Sequence, residues 1–301
     1  MTPRDQLLAL NDELRRLKAS GQRTVPVTRE SLAQLQAAVR TAQGEEAPSV
    51  AAAAPSPALV VADRPAILPP SAPIKPAPIL IAPPTIQLPA GDKATRWAAL
   101  RALILHDPVG RAQLSSAGKI VFGVGDLNAS IFFCAEAPGP EEESAGEPFV
   151  GPAGQLLTKM IQGMGVERAQ VYLSYIMNWR PAVPVGTSLS ATDNRTPTTE
   201  ELHYGLPYLK AQLEIVQPRM IVALGKTAAG GLLGASSFKT LGEVKGRWHE
   251  FAGIPVMVTY HPSYILRDNS KRSKRAIWED LLQVMARAKL SISAKQRDHF
   301  I

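Results

Sequence analysis

From about Lys93 to Lys289, short apolar runs alternate with stretches of helical periodicity, and this alternation restricts the possible folds more than any other feature of the chain. The runs are Ile120–Gly123, Ser130–Ala135, Val171–Ile176, Met220–Leu224 and Val256–Tyr260. Their shortness and their β-branched and aromatic content favour strands. Helical patterns occupy 94–105, 154–164, 198–216, 226–233 and 275–289; in the first, Trp97, Leu100, Leu103 and Ile104 recur at helical spacing. Strands that are apolar on both faces belong in a parallel sheet covered by helices on both sides. The expected fold is therefore α/β, a three-layer α/β/α sandwich on a central parallel sheet of about four or five strands.

The remainder of the 301 residues reads differently. Between about Gly44 and Ala90 lie 12 of the 26 prolines, among Ala, Val and Ile. Prolines this dense remove backbone donors and fix φ, so neither helix nor sheet propagates, and a disordered Pro/Ala-rich tether is expected. Before it, Leu7, Leu8, Leu10, Leu14 and Leu17 among charges suggest an amphipathic helix over 4–19, with a second short helix at 28–41. The organisation expected is a short helical segment at 1–43, a linker at 44–92, a globular domain at 93–290 and a tail at 291–301.

A net charge of +7 and a pI near 9.6 favour a polyanionic partner. Cys134 is the only cysteine, which excludes an internal disulfide and leaves no basis for a Cys-ligated metal. No apolar run approaches the roughly 18–20 residues that span a bilayer, and the first residues lack the pattern of a secretory signal. The chain is expected to be soluble and intracellular.

In sheets of this kind ligands bind beyond the carboxyl ends of the strands, and two unusual loops fall there. One runs from Phe133 to Leu157: it carries Glu136 within Ala-Glu-Ala-Pro-Gly and, thirteen residues later, Phe149 between Pro148 and Val150-Gly151. The other is His261-Pro262-Ser263-Tyr264-Ile265-Leu266-Arg267. Glu136 could simply cap the next helix, Phe149 could plug the core, and His261 could be a buried structural histidine. The remaining histidines show no metal-ligand spacing. Leu224-Gly225-Lys226-Thr227 reads as a strand, turn and helix start where backbone N–H groups can hold a phosphate, or as a plain glycine turn. Five cations lie between Arg267 and Arg275, including Lys271 and Arg272.

The Glu136–Phe149 stretch resembles the first motif of the uracil-DNA glycosylase superfamily, family 4 most closely, and the His261 string resembles that superfamily's closing motif. The resemblance covers about residues 94–290. It implies excision of uracil from DNA by base flipping and hydrolysis of the N-glycosidic bond in base-excision repair. It assigns catalytic roles to Glu136 and His261, stacking of the base to Phe149, and surrounding base contacts to Ala135 and Ala137. Gly225, Lys226, Thr227, Ser263, Arg267, Lys271 and Arg272 would meet DNA backbone, and Ile265 and Leu266 match the wedge that fills the gap left by the flipped base. No metal is required. Monofunctional chemistry is expected, since neither motif contains a lysine for lyase chemistry.

Two departures from the family accompany the match. The four cysteines that hold a [4Fe–4S] cluster in most family 4 enzymes correspond approximately to Pro108, Arg111, Trp179 and Gly205, so no cluster is expected, with Trp179 filling the vacated volume. The asparagine that reads the uracil edge corresponds to Tyr175, 26 residues after Phe149. A phenol offers one hydroxyl where an amide both donates and accepts; Asn178, three residues on, is the other candidate base contact. Altered base preference, or a catalytically weak DNA-binding module of the same fold, are therefore alternatives. The implied partner is DNA containing uracil or a related damaged base, met by a monomer in the cytoplasm at the bacterial nucleoid. A replication or repair protein could engage the amino-terminal tail, where Gln6–Leu10 resembles short peptides that dock on sliding clamps. No membrane partner is expected.

Overall fold

The alternation becomes a six-stranded sheet: β1 (Val124–Gly125), β2 (Ile131–Ala135), β3 (Tyr172–Tyr175), β4 (Met220–Leu224), β5 (Trp248–Phe251) and β6 (Ile254–Thr259), in the order β1-β3-β2-β4-β6-β5. The four central strands are parallel, and β1 and β5 add antiparallel edges. This computed structural model describes residues 82–183 and 194–300. The helix patterns at 4–19 and 28–41, the clamp-like Gln6–Leu10 and most of the proline-rich stretch lie outside the described residues.

Both faces of the parallel strands are apolar, and the pleat sorts them cleanly. On one face Phe132, Cys134, Tyr172, Ile221, Ala223, Val256 and Val258 meet α1 (Lys93–Leu105), α5 (Thr199–Val216) and α6 (Gly225–Leu233). On the other, Ile131, Phe133, Leu173, Val222 and Met257 meet α4 (Pro152–Gly163) and α9 (Lys271–Arg287). Successive strand residues point to opposite faces, so an unbroken apolar run supplies both cores. The three-layer expectation holds, with four parallel strands.

Short helices complete the chain: α2 (Pro108–Gln113), α3 (Pro140–Ala145), α7 (Leu241–Val244), α8 (Pro262–Asp268) and α10 (Ala294–Arg297). The apolar run Ile120–Gly123 does not become a ladder strand. Instead Val121 exchanges bonds with Asn178, its N–H donating to the Asn178 carbonyl at 2.8 Å and its own carbonyl accepting from the Asn178 amide at 2.9 Å. The folded unit begins before the expected boundary at 93, because Ile86 and Leu88 are half-buried against the α1–α5 core.

Candidate active site

The loops that leave β2 and β6 meet the end of β3 and the loop before α4 around a cavity of about 360 Å³. Glu136 follows β2, Tyr175 closes β3, His261 follows β6, and Phe149 precedes α4; all four line it. Parallel pairing of β2 with β3 and β4, and of β4 with β6, brings these chain ends to one edge of the sheet.

Phe149 sits at φ 56°, in the left-handed region, which costs a non-glycine residue on the order of 1–3 kcal/mol. Its surroundings impose that conformation. The Phe149 N–H donates to the Tyr175 hydroxyl at 3.0 Å, and the two rings stack with centroids 4.6 Å apart. The Glu142 carboxylate accepts from the Val150 and Gly151 N–H groups at 3.1 and 3.0 Å with one oxygen, and from Gly139 at 3.0 Å with the other. Arg168 donates to the Pro148 carbonyl at 2.6 Å. Gly154 is required beneath the loop, since a Cβ there would fall 1.9 Å from the Phe149 carbonyl oxygen.

Tyr175 is 3% exposed. Burial, reinforced by the Glu142 charge, pushes its phenol well above the ordinary tyrosine range, so it stays protonated. Its oxygen accepts the Phe149 N–H, which leaves the phenolic hydrogen available to donate.

Glu136 does not cap the following helix. Gly139 is the N-cap of α3 and Glu142 supplies the returning carboxylate. Glu136 Oε2 is buried and has no hydrogen-bond partner among the described residues. A carboxylate oxygen left unpaired in this way is suited to hold a water or a developing positive charge.

His261 is the N-cap of α8, where its Nδ1 accepts from the Ser263 N–H at 3.2 Å and lies 2.8 Å from Ser263 Oγ. In the tautomer in which Nδ1 accepts this N–H, the ring hydrogen lies on Nε2. Gly225, at φ 92°, lets α6 start against this residue: a Cβ there would come within 3.0 Å of His261 Cβ. Behind the loop, the Thr259 hydroxyl donates to the buried Asp280 carboxylate at 2.6 Å and Lys245 pairs with it at 2.9 Å. Lys245 also lies 4.9 Å from the centre of the Tyr260 ring.

The other sequence candidates divide. Ala137, Ser263 and Arg267 line the cavity, with Arg267 donating to Ser263 Oγ at 3.4 Å. Ala135 is buried in the sheet, paired in register with Tyr175, and outside the cavity lining. Asn178 is buried outside the cavity lining, with its amide on the Val121 carbonyl and its Oδ1 without a partner among the described residues. Ile265 is 2% exposed and packed inward, whereas Leu266 is 48% exposed; of the two, only Leu266 has the exposure a wedge requires. Lys271 and Arg272 are exposed at the start of α9. Gly225, Lys226 and Thr227 open α6 outside the cavity, with Lys226 exposed. Arg275 is occupied by Glu279 and by the carbonyls of Arg297 and His299.

Sequence reading missed Glu142, Asn194 and Arg195, which also line the cavity. Arg180 donates to Asn194 Oδ1 at 3.2 Å, and Arg195 donates to Glu201 at 2.7 Å. Glu142 had a signal: an acid three residues after Gly139, with Pro140 at the helix start.

The residues at the family's cluster positions do not fit a cluster. None is a thiolate ligand, and the Trp179 ring packs so closely on α2 that a Cβ on Gly110 would approach it to 2.7 Å. The same ring meets Tyr204 and Tyr208 edge-on at 6.1 and 6.3 Å. Both tyrosine hydroxyls donate to the buried Asp107 carboxylate, at 2.8 and 2.7 Å, and Gly110 N–H donates to it at 2.6 Å. Indole, two phenols and a carboxylate knit α2 to α5.

A profile of the Uracil DNA glycosylase superfamily matches residues 122–282. The chain is 38% identical over 164 residues to the Type-4 uracil-DNA glycosylase of Thermotoga maritima, covering 54% of this chain and 80% of that protein. It is 39% identical over 150 residues to the Type-4 enzyme of Archaeoglobus fulgidus, covering 48% and 70%. A Type-5 uracil-DNA glycosylase of Pyrobaculum aerophilum is 29% identical over 175 residues, covering 57% and 76%.

Proposed function

The chain belongs to the uracil DNA glycosylase superfamily, and from that premise we propose that it excises uracil from DNA as a monofunctional glycosylase in base-excision repair. The observation that carries this reading is the convergence of Glu136, Phe149, Tyr175 and His261 on one cavity at the carboxyl edge of the sheet.

A base stacked in duplex cannot reach such a cavity, so it is extruded and its place taken by an apolar wedge, here Leu266. The base lies against Phe149, which its loop holds rigidly. The C1′–N1 bond breaks as a water held by Glu136 adds to C1′, giving an abasic sugar. The electron pair departs with uracil as an anion, and the His261 Nε2–H, aimed by the cap bond at Nδ1, donates to the oxygen where that charge collects. Glu136 takes the proton from water, and the uracil anion is later protonated from solvent. No step needs a metal, a cofactor or a lysine nucleophile. The Trp179–Asp107 packing supports a protein without an iron–sulfur cluster.

Tyr175 favours a second reading, in which base preference is broader than uracil. A neutral phenol that donates recognises a keto oxygen and rejects an exocyclic amine, because an amine would set donor against donor. Uracil passes that test at O4, as do hypoxanthine and xanthine at O6, while cytosine and adenine, which carry an amine at the corresponding position, fail.

The DNA partner follows from the family; for the tail we infer attachment to a replication or repair protein, and for the whole a monomer acting in the cytoplasm on the chromosome. No described helix is long and apolar enough to cross a membrane. The test is release of base from labelled oligonucleotides bearing one uracil, hypoxanthine or xanthine, followed by alkali. Strand breaks that appear only after alkali, and with uracil among the substrates, are expected. No abasic site from any lesion at high enzyme excess would overturn the reading; breaks before alkali would overturn monofunctionality.

A further inference from the structure

A second concavity, of about 400 Å³, lies between α4, α9 and the carboxy-terminal tail. Its floor is apolar, formed in part by Met160, Ile265, Ile277 and Trp278. Around it stand Lys159, Lys274 and Lys295, none of which is engaged in an ion pair among the described residues. Phe300 completes the rim and keeps 36% of its surface exposed.

The tail that supplies Lys295 and Phe300 is bound in place. Trp278 Nε1 donates to the Gln296 carbonyl at 2.6 Å, and the Gln296 amide donates to the Gly163 carbonyl at 2.8 Å. Arg275 donates to the carbonyls of Arg297 and His299 at 2.7 and 2.8 Å. The His299 ring meets Trp278 edge-on at 5.5 Å and lies 4.0 Å from Phe300.

A slot with an apolar floor and a rim of uncompensated cations matches a ligand that joins flat apolar faces to spaced negative charges. Unpaired nucleotides have that form, and the faces of paired bases are not available. An apolar peptide would leave three ammonium groups without counter-charge. The slot also adjoins the cavity: α8 gives Ile265 to the slot and His261, Ser263 and Arg267 to the cavity. We propose that this groove binds the unpaired strand beside the flipped nucleotide, its bases on the Trp278–Phe300 side and its phosphates on the three lysines. The proposal rests on the reading of the chain as a DNA glycosylase.

The test compares affinities of the full-length protein for an undamaged single-stranded oligonucleotide and for its blunt duplex, by fluorescence anisotropy across a salt series. Phe300→Ala should weaken single-strand binding by about 5- to 100-fold, as loss of one stacking platform does, and shift the single-strand to duplex ratio toward duplex. Lys159→Glu with Lys295→Glu should flatten the single-strand salt slope by about 0.7 for each phosphate released. Both residues are exposed, and folding of each variant is to be checked by circular dichroism. Single-strand affinity unchanged in both folded variants overturns the groove, as does a ratio that does not move; changed sedimentation with unchanged DNA affinity would instead mark the face as a contact between copies and equally overturn it. Excision is measured separately: a wild-type protein that releases no base, yet loses single-strand affinity in these variants, sinks the glycosylase reading and keeps the groove.

Discussion

His261 and Glu136 were legible as candidates because each follows a buried strand at the carboxyl edge of the sheet, where ligands bind in folds of this kind. Replacing either with Ala should slow single-turnover uracil release by about 10²–10³-fold, the usual loss when a preorganised catalytic group is removed, with DNA affinity nearly intact by anisotropy. Tyr175 was legible as a departure but not as a partner: only the fold shows its hydroxyl on the Phe149 N–H. Tyr175→Phe leaves that buried donor unmatched, so it should cost about 1–3 kcal/mol in urea unfolding and also abolish discrimination between keto and amino bases. Tyr175→Asn should raise uracil excision, measured against hypoxanthine on the same strand. An unchanged rate on every base would remove Tyr175 from base reading. Glu142 was hidden for a different reason. It lies in the run Glu141-Glu142-Glu143, which reads as a solvated face, whereas two of the three are buried and bonded.

Periodicity located the long elements to within a few residues, because strands apolar on both faces and helices with one buried stripe leave strong patterns. It failed where pairing is decided from outside the segment. Trp248–Phe251 forms β5 only because the turn after it folds it back on β6, and His261–Arg267 read as a loop although His261 begins a helix. Likewise the α2–α5 junction could not be foreseen beyond Trp179, since Asp107 and its two tyrosines are about a hundred residues apart in sequence. Asp107→Ala would strand two phenols and an N–H in a buried place. It should destabilise the domain by about 2–4 kcal/mol, read from the urea midpoint at unchanged slope. A variant as stable as the parent would show that the junction contributes little.

At the scale of the molecule, the fold's beginning is testable by deletion. Removing residues 1–81 should leave uracil release unchanged. Removing 1–92 also takes Ile86, Leu88 and the Asp92 cap on Thr95 N–H, and should cost about 1–3 kcal/mol of stability. Equal stability of the two truncations would place the start of the fold at α1. The purified protein should be colourless and free of iron by metal analysis; stoichiometric iron would refute the cluster-free reading. The parts of the candidate site come from separate strand ends, Glu136 after β2, Tyr175 on β3 and His261 after β6; Tyr175 is tied to Phe149 and His261 to Ser263. On the roles proposed above, an exchange at Tyr175 would leave Glu136 and His261 in place but would remove the hydroxyl that accepts the Phe149 N–H. On that reading, a change of lesion preference through position 175 is coupled to the support of Phe149, so a new side chain there has to supply an acceptor for the Phe149 N–H as well as a contact to the base.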